Sequence, residues 1–333
     1  MNTTTIITAT PGAPAARDFQ GLWLPLAAAV LLAAAGPLLD GYLADLLVKV
    51  MVLAIFALSL ELLVGMTGLV SLGHAAYFGI GAYVTVLASG EGGGNLFALA
   101  GLSMLAAAGY ALVVGALSLR TRGVYFIMVT LAFAQMAYFI FHDTPVGGGS
   151  DGIYLYVRPA AGPLDMENRK VLFYAVLASL AFTYGLLALI RRSRFGAALA
   201  GIRANEQRMQ AAGFSTFGYK LAAFVIAGAL AGLAGFLVAA RDGVVNPEML
   251  SWHISGEVLL MVILGGIGHL RGAVLGAVVF TLLKELLSTH ALVGPLADRW
   301  QLTLGLSIIL FVALLPQGLI ALARRRAAKE PRP

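Results

Sequence analysis

The 333-residue sequence contains no cysteine, so disulfides and thiolate metal sites are both excluded. Charge is scarce: Asp, Glu, Lys and Arg make up 11% of the chain, against 60% hydrophobic residues and a mean hydropathy of +0.89. A soluble domain cannot hide so much apolar surface and leave so little polar surface for water. No G-x-x-x-x-G-K-[ST] motif cradles ATP phosphates, and neither H-E-x-x-H nor G-x-S-x-G occurs. The five histidines (His74, His142, His253, His269 and His290) form no zinc motif. With no nucleophile, metal set or acid–base pair in view, no catalytic residues, cofactor or metal are expected. The net charge of +6 does not imply nucleic acid, because the basic residues sit beside apolar runs.

Those runs are near the length that crosses about 30 Å of hydrocarbon. The fold class is therefore all-α, a polytopic membrane protein of about ten transmembrane helices. Candidate spans are 22–39, 43–64, 69–88, 96–119, 123–141, 171–190, 221–240, 256–268, 272–288 and 301–320. Of these, 256–268 is too short to cross without help from its neighbours. If the spans alternate, Arg120, Arg122, the 191–220 loop, Arg271 and the cluster Arg324, Arg325, Arg326 and Lys329 share one side. The other side carries Glu91, Asp143, Asp151, Asp165, Glu167, Asp242 and Glu248, and 142–170 is its longest loop. By the positive-inside rule the basic side is cytoplasmic, with both termini on it. Residues 1–20 read as a disordered cytoplasmic tail rather than a signal peptide, 21–322 as the membrane domain, and 323–333 as a basic cytoplasmic tail.

The most informative stretch is 191–220, a basic, helix-prone island between two apolar runs. It carries Arg191, Arg192, Arg194, Arg203, Arg208 and Lys220. Residues 197–212 predict one short helix, with Gly213 as its left-handed stop. Such a helix suits docking to a soluble partner; a solvated loop with topogenic charges is the plainer alternative.

Three further segments stand out. In 64–83, Gly65, Gly68, Gly73, Gly79 and Gly81 interrupt a span that also holds Thr67, Ser71 and His74, which predicts a broken helix lining a pathway. Close packing through small residues, with His74 hydrogen-bonded in the bundle, explains it too. In 122–136, Thr130 and Gln135 are polar in an apolar span and must face other helices or a pore. In 246–272, Trp252 reads as an interfacial anchor, and Glu257 lies at the outer end of a span. Spacings of four at Gly228 and Gly232, and at Gly268, Gly272 and Gly276, mark tight helix contacts. Segments 68–82 and 264–277 echo one another, which points to a possible inverted repeat.

Read in order, TGLVSLGHAAYFGIGAY, RTRGVYFIMVTLAFAQM, GGGSDGI, IRANEQRMQAAGF, YKLAAFVIAGALAGLAGFL, SWHISGEVLLMVILGGIGHLRGAVLGA and LGLSIILFVALLPQGL resemble the permease of branched-chain amino-acid ABC importers, the LivM type. The likeness runs from about Val64 to the end of the last span. It implies uptake of leucine, isoleucine, valine or a related small amino acid across the bacterial inner membrane. The implied partners are a second homologous permease, two ATP-binding subunits, a periplasmic substrate-binding protein and the lipid bilayer. Arg203, Asn205, Glu206, Arg208 and Gly213 would form the coupling contact to the ATPase, although Glu206-Gln207-Arg208 stands where the family has Glu-Ala-Ala. His269 stands where a small or hydroxyl residue is expected, and Ala273 where proline is common. Thr67, Ser71, His74, Thr130 and Gln135 become pathway candidates, and Asp151 and Glu257 candidates for contact with the binding protein. Urea and short-chain amide permeases are the nearest alternative. An ion-coupled transporter using Glu61 or Glu257 is a more distant one.

Overall fold

The computed structural model describes residues 27, 30–34, 36, 41–90, 93–289, 294, 299–315 and 318–320. The expected tails 1–20 and 323–333, with Glu91 and His290, lie outside the described residues, and the expected first span lies mostly outside them.

From Gly41 onward the apolar runs become helices: α1 (Gly41–Glu61), α2 (His74–Ser89), α3 (Leu96–Ser118), α4 (Val124–Asp143) and α5 (Arg169–Arg192). The polar island forms α6 (Arg194–Ala204) and α7 (Glu206–Ala211). Then follow α8 (Thr216–Asp242), α9 (Trp252–Gly265), α10 (Leu270–Ser288) and α11 (Trp300–Leu314). Their starts obey capping chemistry: Asn95, Asn168, Ser193 and Asn205 each accept a backbone N–H of the first turn.

Among the described residues, five helices are long and apolar enough to cross a membrane: α1 with its extension to Thr67, α3, α4, α5 and α8. The expected short span 256–268 is α9, which starts earlier, at Trp252, and turns into α10 through a bend of 117°. At about 1.5 Å per residue its 14 residues cover roughly 21 Å, less than the hydrocarbon core.

Helices α1 and α8 form the centre, 83% and 67% buried over their most apolar stretch; α3, α4 and α5 are below 30% and face outward. Small residues let the central helices touch backbone to backbone. Gly81 meets Gly232, Gly235 meets the Phe78 carbonyl, Gly228 meets Ala111, and Gly276 meets the Met261 carbonyl. The expectation from the four-residue spacings thus describes Gly228, Gly232, Gly272 and Gly276. Gly268 departs from it: at φ +88 it belongs to the turn between α9 and α10.

At one end of the bundle, here called the basic end, Arg122 lies near Glu206, and Arg203 lies near Gly268. At the other end the 144–168 loop folds over the α8–α9 loop. Strand β1 (Ile153–Tyr154) pairs antiparallel with β4 (Val244–Val245), and β2 (Ala160–Ala161) with β3 (Leu164–Asp165). Arg158 of the 144–168 loop bonds the Arg241 carbonyl in the last turn of α8.

The two glycine segments that echo each other are both helix breaks, one before α2 and one before α10. Phe56 stacks on Phe78 and Ser59 meets His74, so α2 runs antiparallel to α1. Tyr42 bonds Glu285 and Glu61 bonds Gly268, so α10 does the same. An inverted pair would run in opposite directions, so these two segments do not carry the inverted repeat.

Candidate functional site

The chemistry concentrates where the two breaks and the α6–α7 loop meet. Helix α1 does not stop cleanly. It loosens into a π-turn, Leu62–Thr67, in which every residue is buried, and Gly68 (φ 76) ends it in the left-handed region. A β-carbon at Gly65 would overlap the Glu61 carboxylate, so only glycine lets that side chain fold back along its own turn. Thr67 Oγ1 donates to the Leu63 carbonyl at 2.6 Å, the same acceptor that takes the Gly68 and Leu69 amides at the end of the turn.

Ser71 Oγ accepts the Gly73 amide at 3.2 Å, and Gly73 lies directly against the Thr130 carbonyl of α4. Thr130 Oγ1 bonds the Ile127 carbonyl at 2.9 Å. The structure therefore sets Ser71 two residues from the Gly73–Thr130 contact, with Thr67 one short loop away. His74 opens α2 fully buried. Ser59 Oγ donates to the Phe56 carbonyl at 2.7 Å, so at its 2.8 Å contact with His74 it must accept from Nε2. The ring stacks on Phe56, and Nδ1 has no partner among the described residues. Ser255 Oγ, from the start of α9, takes the Ala75 amide at 2.9 Å and ties α9 to the head of α2.

Gln135 stands apart from this cluster. It is half-buried and opens onto a groove lined by Ala132, Met136, Phe139, Ile140 and Thr144.

In the second break the Gly266 (φ 110) amide still bonds the Val262 carbonyl of α9, and the amides beyond it, at Gly268 (φ 88) and His269, turn away from that helix. Glu61 answers them: its Oε1 accepts the Gly268 amide at 2.7 Å, and the His269 amide also faces the carboxylate. From sequence, Asp45 and Lys49 look like its partners. They are not: Lys49 pairs with Glu285 at 3.9 Å, about 18 Å along the helix at 1.5 Å per residue.

The loop departs from its expected form. Residues 197–212 are two helices rather than one, because Asn205 (φ −160) leaves the helix and caps the next, its Oδ1 accepting the Arg208 amide at 2.9 Å. Asparagine competes for backbone amides better than it propagates a helix. Gly213 does adopt φ +85. Its amide bonds Gln210 and that of Phe214 bonds Met209, which together form a Schellman stop.

Two contacts strap the loop to α8: Lys220 Nζ to Glu206 at 2.7 Å and Gln210 Nε2 to Thr216 at 2.9 Å. Burial pushes the Glu206 carboxyl up, but the hydrogen bond and charge of Lys220, with Thr216 and Arg122, outweigh it and hold the group below the usual carboxylate value. Arg203 reaches the other way, inward past Gly68, and donates to the Gly65 carbonyl. Asn205 and Arg208 remain exposed.

The two outer candidates are not brought together. Asp151 is exposed in the 144–168 loop, while Glu257 is engaged by Lys284 of α10 at 2.8 Å. Reading the sequence passed over Ser59 and Ser255, since serines in apolar helices look like packing until their partners are seen.

A family described as branched-chain amino acid transport system, permease component, matches residues 42–315. The chain is similar to the high-affinity branched-chain amino acid transport system permease protein LivM of Escherichia coli K12. The two are 31% identical over 307 residues, which cover 84% of this chain and 70% of that protein. The LivM protein of Salmonella typhimurium is 32% identical over the same shares. The LivH permease of Escherichia coli K12 is 22% identical, over 80% of this chain and 90% of its own length. No solved structure matches the chain.

Proposed function

Because the chain belongs to the branched-chain amino acid transport permease family, we propose that it carries leucine, isoleucine, valine or a closely related amino acid across the bacterial inner membrane. It is a transport subunit of an ABC importer and not an enzyme. ATP is hydrolysed on two partner subunits, and a periplasmic binding protein delivers the substrate. A second, homologous permease completes the membrane part. The basic end is the cytoplasmic one, and both termini lie on it.

The observation that carries this reading is the α6–Asn205–α7–Gly213 loop. It is stiffened by two caps and a Schellman stop, strapped to α8, and linked inward through Arg203. A flexible linker would absorb an applied force; this loop transmits it. Arg208 and Asn205 face outward toward the ATPase, while Glu206 and Gly213 set the loop's shape.

Gln135 supports the second permease. An amide turned toward lipid is costly, so the α4 groove beside it is covered by protein or opens onto the route. The route passes between α4, with Thr130, and the broken segment before α2, which carries Thr67, Ser71 and His74. Asp151, exposed at the far end, faces the binding protein, while Glu257, held by Lys284, is a separate candidate on α9.

The test is uptake into proteoliposomes holding the full complex, against a panel of branched-chain, other neutral and acidic amino acids together with urea and short-chain amides. Branched-chain substrates should be transported with ATP, and Gln135→Leu should lower the rate. Uptake of urea or amides alone would replace the substrate assignment, and ATP-independent uptake would overturn the importer reading.

A further inference from the structure

Glu61 is 1% exposed within a membrane helix, a costly place for a carboxylate. Packing does not require it there, because an apolar side chain fills space without the desolvation cost. What the carboxylate supplies is an acceptor for the turn between α9 and α10, whose Gly268 amide it takes at 2.7 Å. Hydrogen bonds to an ionised group are the stronger kind. Its other oxygen has no hydrogen-bond partner among the described residues.

The same π-turn is held from the other side. Four residues on from Glu61, the Gly65 carbonyl accepts the guanidinium of Arg203, which belongs to α6. The Arg203 side chain runs past Gly68 and ends near Gly268. One turn of chain is thus bonded both to the loop helix and to the bend where α9 meets α10 at 117°. A second glycine contact closes the bend, since Gly318 lies on the backbone of Gly265 and Gly266.

We infer that Glu61 is a positioning residue that makes the break before α2 and the bend before α10 follow helix α6 as one unit. A displacement of α6 pulls Gly65 through Arg203. Glu61, on the same turn, passes the displacement to Gly268, and so to the orientation of α10. Without the carboxylate the bend is released, and α6 drives only the α1–α2 side. This rests on the loop being the ATPase contact.

The experiment measures substrate moved per ATP hydrolysed, in proteoliposomes containing the whole complex. Glu61→Gln keeps the shape but offers an amide N–H in place of one acceptor. It should assemble and hydrolyse ATP while moving about tenfold less substrate per ATP, the scale expected for one lost buried charge-assisted bond. Arg203→Lys keeps the charge but loses the planar fork, and it should shift the ratio the same way. The double variant should be no worse than either single one. A wild-type ratio in Glu61→Gln overturns the inference. So does a parallel fall in transport and hydrolysis at constant ratio, which marks a purely structural role. If Glu61→Gln does not assemble, Arg203→Lys decides by the same ratio. Glu206→Lys separates the two readings: if it too is fully coupled, the loop assignment has failed, and if it uncouples while Glu61→Gln does not, only the role of Glu61 has failed.

Discussion

Gly213 and Gly235 are both required to be glycine, for opposite reasons. Gly235 has ordinary helical geometry but faces the Phe78 carbonyl, so any side chain drives α2 and α8 apart. Gly213 has open space around it but sits at φ +85, where a side chain strains the backbone. Gly235→Ala should therefore destabilise the bundle by about 1–3 kcal/mol, the usual cost of overpacking a tight contact. Thermal unfolding in detergent would show it as a lowered Tm. Gly213→Val should leave that Tm nearly unchanged and weaken ATPase binding instead, because its strain of about 1–2 kcal/mol falls on an exposed stop. Equal losses of Tm in the two variants would contradict this division.

At the scale of elements, the α6–α7 pair is held by its ends rather than by a buried face. Every residue of α7 is at least partly exposed. Its position depends on Asn205, on Gly213, and on the Glu206–Lys220 bond to α8. The Glu206 carboxyl is held below its usual value, so its contribution is complete above the ordinary carboxylate pKa and is lost as pH falls through the lowered folded value. Loop protection in hydrogen exchange should accordingly hold through neutral pH and fail only in clearly acidic buffer. Glu206→Lys, which faces Lys220 with a like charge, should abolish that protection at every pH. Unchanged protection in Glu206→Lys would show that Gln210–Thr216 and the caps suffice.

At the scale of the whole molecule, the decisive question is which loops share a side. Arg122, Arg203, Glu206 and Gly268 lie around one junction, and the 144–168 loop with its β1–β4 pairing lies at the opposite end. The chain has no cysteine, so single cysteines at Ser150 and Ala204, both exposed, report sidedness without background. An impermeant thiol reagent should label Ser150→Cys from the periplasmic side and Ala204→Cys only from the cytoplasmic side. Labelling of both from one side would reverse the path of the chain between them.

Composition by itself settled that this is a helical membrane protein, because 60% hydrophobic residues in span-length runs have no other stable solution. Local chemistry also settled the basic loop and the left-handed stop at Gly213, since caps, charges and glycine conformations depend on a few adjacent residues. Family membership was legible for the same reason, as it rests on ordered motifs. The partner of Glu61 was not legible, because Gly268 lies 207 residues away and a carboxylate near Lys49 suggests a local ion pair. The roles of Ser59 and Ser255 were equally hidden. Each depends on which backbone amides and carbonyls the folded bundle leaves unsatisfied, and that is decided only when distant helices meet.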